Sequence, residues 1–194
     1  MPDALKRSLE MNRAWRIFKG FLLVWGAISF VAVLVIGGTI LYQIGSGNRP
    51  TSKTVSKHDV RFVLNWCNLG DDRTEEVVHS YASARSFTGD HLGGHAMRVS
   101  HLDGSELVFD EERGGGGWYR GDALTGTAEQ AIDFAASWLR LSEMPWFPTI
   151  DEIRSPNMYV YVWSIDMSGT RPNAAQIIFA SPNDKMIYYF DAKL

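Results

Sequence analysis

The chain has 194 residues, a formal net charge of −3, one cysteine, and 45% hydrophobic and 12% aromatic residues. That is room for one ordinary domain plus an appendage, with enough apolar side chains for a real core, and a single thiol excludes both an intramolecular disulfide and a cysteine-based metal cluster. From Asp59 onward acids outnumber bases nearly two to one, which argues against a nucleic-acid partner, because phosphate binding relies on Lys and Arg displacing counterions.

Residues 1–20 form a basic leader, with Lys6, Arg7, Arg13, Arg16 and Lys19 set against Asp3 and Glu10. No charged side chain follows until Arg49. The stretch 21–44 is more than half Leu, Ile, Val and Phe: Phe21, Leu22, Leu23, Val24, Ile28, Phe30, Val31, Val33, Leu34, Val35, Ile36, Ile40 and Leu41 are its anchoring side chains. As a helix it reaches about 36 Å, enough to cross a hydrocarbon core of roughly 30 Å with some tilt. Its aliphatic and Phe side chains contribute roughly −4 to −8 kcal/mol to insertion. A cleaved signal peptide has a shorter apolar region and a small-residue cleavage site, so an uncleaved anchor is expected. The leader carries more positive charge than the flank holding Arg49, Lys53 and Lys57, which predicts a cytoplasmic N-terminus and an external C-terminal part. In a bacterium that is the inner membrane, with residues 59–194 in the periplasm. Residues 45–58, small, polar and basic, read as a flexible tether.

The rest reads as one α+β domain, with a mostly antiparallel sheet and two helices packed on one face. "VRFVLNWC" alternates, with Phe62, Leu64 and Trp66 on one side, and predicts a strand in which Cys67 is a small buried hydrophobe. "DDRTEEVVHSYASAR" opens on an Asp72-x-x-Glu75 capping box and places Val77, Val78 and Tyr81 on one helical face. "HAMRVSHLDGSELVFD" predicts a hairpin turning at Asp103-Gly104, with His101 opposite Glu106. The glycine run within residues 111–126 reads as a mobile loop. "TGTAEQAIDFAASWLRLSEMP" predicts a helix capped by Thr127 and Gln130, burying Ala128, Ala131, Ile132, Ala135, Trp138 and Leu139 and stopped by Pro145. "NMYVYVWSIDM" is apolar on both faces and predicts a central strand. The C-terminal stretch predicts a hairpin about Ser181-Pro182-Asn183-Asp184.

No stretch carries a strong chemical signature. His91, His95 and Asp90 are the candidates if a metal is held, since zinc accepts such ligands. Gly93 and Gly94 disfavour the helix that would stack the two histidines. His79 lacks a nucleophile motif beside it, and Asp110, Glu111 and Glu112 read as solvated acids flanking a loop. "RGGGGWYRGD" lacks the Lys-Ser/Thr ending of a phosphate-binding loop. No catalytic residue, cofactor or small-molecule ligand is therefore assigned. The aromatic loops are the candidate partner-binding residues: Trp146 and Phe147 in "MPWFP", and Trp118 and Tyr119. A Pro-bracketed Trp-Phe pair must either plug the edge of the core or present apolar area to a partner. The expected function is a non-catalytic, membrane-anchored accessory subunit of an envelope complex, of secretion, conjugation or pilus type. The alternatives are a tethered hydrolase using the His91/His95 region and an anchored immunity or inhibitor protein.

Overall fold

The computed structural model describes residues 2–47, 55–86, 89–108, 117–140 and 143–194, which divide into two separately packed units, Met1–Gly47 and Asn48–Leu194. Residues 48–54 of the expected tether, the first three glycines of the glycine run, and Asp110, Glu111 and Glu112 lie outside the described residues.

The first unit is a single helix, α1 (Pro2–Gly47), so the basic leader continues into the apolar run without a break. Its segment Phe18–Tyr42 is long and apolar enough to cross a membrane, and none of that segment is buried within the protein. Apolar side chains stand exposed along the whole segment, among them Leu23, Phe30, Val33 and Leu41. A helix that is apolar all round needs an apolar environment, which the described residues of this chain do not supply. Thr39 Oγ1 donates to the Val35 carbonyl at 2.7 Å, an internal partner that a hydroxyl requires in lipid. Near the N-terminal end, Lys19 Nζ lies 5.3 Å over the Trp15 ring.

The second unit is α+β. Six antiparallel strands are ordered β1-β2-β6-β5-β4-β3: β1 (Thr74–Ala82), β2 (His91–Val99), β3 (Trp118–Arg120), β4 (Tyr159–Ser168), β5 (Arg171–Ser181) and β6 (Met186–Lys193). The C-terminal hairpin is as expected: Ser181 pairs with Met186, Lys185 N–H donates to the Pro182 carbonyl, and Lys185 takes the left-handed conformation that closes the turn. The long helix is also where the pattern puts it, α3 (Gly126–Leu139), burying Ala128, Ala131, Ile132, Phe134 and Ala135. Its N-cap is Thr125 rather than a box built on Thr127, which lies inside the first turn.

Two elements exchange types. Residues 60–67 are helical, not a strand: a 3-10 turn Lys57–Val60 runs into α2 (Arg61–Trp66). Val60, Val63, Leu64 and Cys67 are all buried, at i, i+3, i+4 and i+7, and this spacing outweighs the apparent alternation of Phe62, Leu64 and Trp66. Residues 74–82 are a strand, not a helix, because β1 finds a ladder along β2, from Thr74 opposite Val99 to Ala82 opposite Gly93. Its Val77-Val78 pair is β-branched and suits that state. The hairpin expected at Asp103-Gly104 does not form. β2 instead lies between β1 and β6, and Gly104–Glu106 is a 3-10 turn whose N-cap Asp103 accepts from Ser105 N–H. The pairing of His101 with Glu106 survives as a side-chain contact of 3.1 Å.

Helices cover both faces of the sheet, not one. On the first face α2 packs with Met97, Val99, Ile178, Ile187 and Tyr189. On the second, α3 and the four-residue α4 (Ile150–Ile153) pack with Val160, Ile177, Phe179 and Phe190. β4 is second from the edge and covered only over its first half. Val160 and Tyr161 are buried, whereas Trp163 and Met167 are exposed.

Candidate functional site

The loop that leads from α3 to α4 lands on the second face of the sheet. Phe147 is the plug of the two alternatives, 6% exposed, with its ring centroid 5.5 Å from Phe179, 5.6 Å from Tyr188 and 6.3 Å from Phe190. Met144 is buried with it. Trp146 stays half-buried and lies nearly parallel to the His79 ring at 5.2 Å. Gly94 makes this descent possible. A β-carbon there would meet Met144 Sδ at 3.0 Å and the Tyr189 carbonyl oxygen at 3.2 Å.

Beside the loop opens a cleft of about 510 Å³. Trp146, Phe147, Pro148 and Tyr188 supply apolar wall, and Glu152, Asp184, Asn157 and Asn183 supply polar groups. Both carboxylates are held by local structure. Glu152 Oε2 accepts from Thr149 N–H at 2.7 Å and from its hydroxyl at 2.9 Å, the capping box that starts α4. Asp184 Oδ2 accepts from Ser181 Oγ at 2.7 Å. Burial, then the charges of Asp184 and Glu152, push the Tyr188 phenol above its usual range, so it stands in the cleft as a neutral hydrogen-bonding group. This chemistry suits the recognition of a hydrogen-bond donor or a positively charged group against an aromatic wall.

The candidate metal ligands lie on the opposite face and do not converge. His91 and His95 belong to β2, where residues four apart are about 13 Å from each other, too far to share an ion. The His91 ring nitrogens are engaged, Nδ1 at 3.0 Å from the Gly89 carbonyl and Nε2 at 3.2 Å from Asp191 Oδ2. His95 Nδ1 lies 3.0 Å from Ser80 Oγ, and its ring stacks on Tyr189 at 5.9 Å. Burial lowers the His95 pKa, partly opposed by Asp191 and Asp59, so its neutral form is favoured. Asp90 is in the turn before β2, where its N–H donates to Ser86 Oγ. Among the described residues no group of three or more His, Cys, Asp or Glu is placed to hold a metal ion.

The second aromatic pair is also internal. Trp118 is 5% exposed and packs on Tyr161 at 5.4 Å, and Tyr119 is half-buried. Residues 117–123, expected within a loop, carry β3 and a 3-10 turn. Of the four candidate partner-binding aromatics, Trp146 and Tyr119 retain surface. Cys67 is buried as expected, its Sγ donating to the Val63 carbonyl, and desolvation pushes the thiol up to about 12.

The chain matches no protein-family model, no curated protein and no solved structure.

Sequence reasoning missed Glu152, Asp184 and Tyr188 as cleft residues. One of them was signalled: Thr149-Ile150-Asp151-Glu152 is a capping-box sequence, and it predicts the helix start that fixes Glu152. Nothing local ties Asp184 or Tyr188 to the loop at 144–148, since that contact is made across the sheet.

Proposed function

We propose that this chain is a non-catalytic, single-pass membrane-anchored accessory subunit of a bacterial envelope complex, with its N-terminus cytoplasmic and its α+β domain periplasmic. The observation that carries the reading is the apolar segment Phe18–Tyr42, none of it buried among the described residues, attached to a domain whose core residues all lie outside it. The excess of Lys and Arg in the leader supports the orientation. The half-exposed Trp146 and the acidic, aromatic-walled cleft beside it support a protein partner that presents a basic group.

The test is affinity purification of the full-length chain from detergent-solubilised membranes. A defined set of membrane proteins should co-purify in fixed stoichiometry, and Trp146→Ala should reduce their recovery about tenfold, the loss typical of an interface anchor. Protease added to intact spheroplasts should digest residues 59–194. A chain recovered alone, or a domain protected from that protease, overturns the reading.

A further inference from the structure

We propose that the outer edge of β4 is a self-association surface, pairing antiparallel with the same edge of a second copy of this chain. β3 pairs only with Tyr159–Tyr161, so from Val162 to Ser168 β4 is bonded to β5 alone, and its outer N–H and C=O groups have no strand partner among the described residues. A row of open main-chain groups is satisfied best by another strand.

The two edges of the sheet are treated differently. β1, at the far edge, exposes Glu75 and Glu76, the charged type of side chain that guards an edge against pairing. The β4 edge reads Val-Trp-Ser-Ile-Asp-Met-Ser, without Lys or Pro, and its single charge is Asp166. Trp163 and Met167 on this edge are two of the four large apolar side chains left exposed among the described residues of the second unit. Trp163 is moreover already ordered, stacked on Trp66 at 4.9 Å with the rings 1° from parallel, so association costs little side-chain entropy there.

Self-complementarity selects a second copy as the occupant. A two-fold axis at Ile165 sets Ile165 against itself and Ser164 against Asp166 of the second copy, a hydroxyl facing a carboxylate. Trp163 is the extra residue of a bulge, between Val162 opposite Ile177 and Ser164 opposite Gln176. Across that bulge, Val162 then meets Met167 of the second copy. An axis at Asp166, or a parallel in-register seam, opposes two carboxylates and is disfavoured.

The full-length chain in detergent micelles tests this by oxidative cross-linking and light scattering. The native Cys67 is buried and does not compete. Ile165→Cys should give a disulfide-linked dimer, whereas Glu75→Cys on β1 should not. Should Ile165→Cys fail to fold, an equal mixture of Ser164→Cys and Asp166→Cys chains reports the same register, with mixed dimers well above the roughly twofold excess over each homodimer that random pairing gives. Met167→Lys should weaken the dimer about tenfold or more by placing a solvated charge on the edge. A monomeric full chain, equal cross-linking at both edges, Asp166→Cys homodimers in excess, or a dimer indifferent to Met167→Lys each overturns the proposal. So does capture of a different protein's strand by this edge.

Discussion

A β-carbon on Gly121 would lie 2.0 Å from the Ile153 carbonyl oxygen and 2.6 Å from that of Ser155. Those are backbone atoms at the end of α4, and Gly121 N–H itself donates to the Met158 carbonyl at 2.7 Å, so neither side can retreat. Gly121→Ala should cost about 2–3 kcal/mol or more, read as a lowered urea midpoint with unchanged slope. In the sequence this glycine is only the middle of a chance Arg-Gly-Asp tripeptide, because its neighbour Ile153 is distant in the chain. The aromatic pair at 146–147 shows the same limit. Its proline brackets announce that the two rings cannot belong to a regular element, yet only the positions of Phe179 and Phe190 decide that Phe147 goes in while Trp146 remains at the surface.

At the scale of elements, the errors share one cause. Short segments with β-branched and aromatic residues satisfy both periods, and the neighbour that offers a partner breaks the tie. For α2 the partner is the first face of the sheet, which takes Val60, Val63, Leu64 and Cys67 together. This assignment has a discriminating consequence. A strand burying Phe62, Leu64 and Trp66 would turn Val63 outward, whereas the helix buries it completely. Val63→Ala should therefore cost about 2 kcal/mol in urea unfolding, against a few tenths for a residue at the surface. β1 is the converse case, a segment with a helix-start signature that pairs with β2 because the sheet provides main-chain partners. The elements read correctly, α3 and the β5–β6 hairpin, have signals that do not compete: a long 3.6-residue stripe in one, and a proline turn between two apolar runs in the other.

For the whole molecule, the division into two units carries the physical consequence. The residues of the domain cores run from Val55 to Ala192, and none of them belongs to α1. Removing residues 1–47 should leave a water-soluble domain that keeps its sheet circular dichroism signal, with a Tm within about 3 °C of that of the full chain, the shift that about 1 kcal/mol of stability would produce in a domain of this size. The full chain should resist carbonate extraction from membranes. A truncated chain that aggregates or loses its sheet signal would show that α1 takes part in folding.

What the sequence determined by itself is what depends on composition and on long, one-valued patterns: an apolar helix of membrane-spanning length, an acidic α+β body, one buried thiol, the α3 stripe and the terminal hairpin. Each follows from local chemistry summed over many residues. The tertiary structure alone decided which strands neighbour one another, the coverage of both faces, and the meeting of Trp146, Glu152, Asp184 and Tyr188 around one cleft. These join residues far apart in the chain, and a pairing of that kind is set by competition among all available partners rather than by the preference of any one segment.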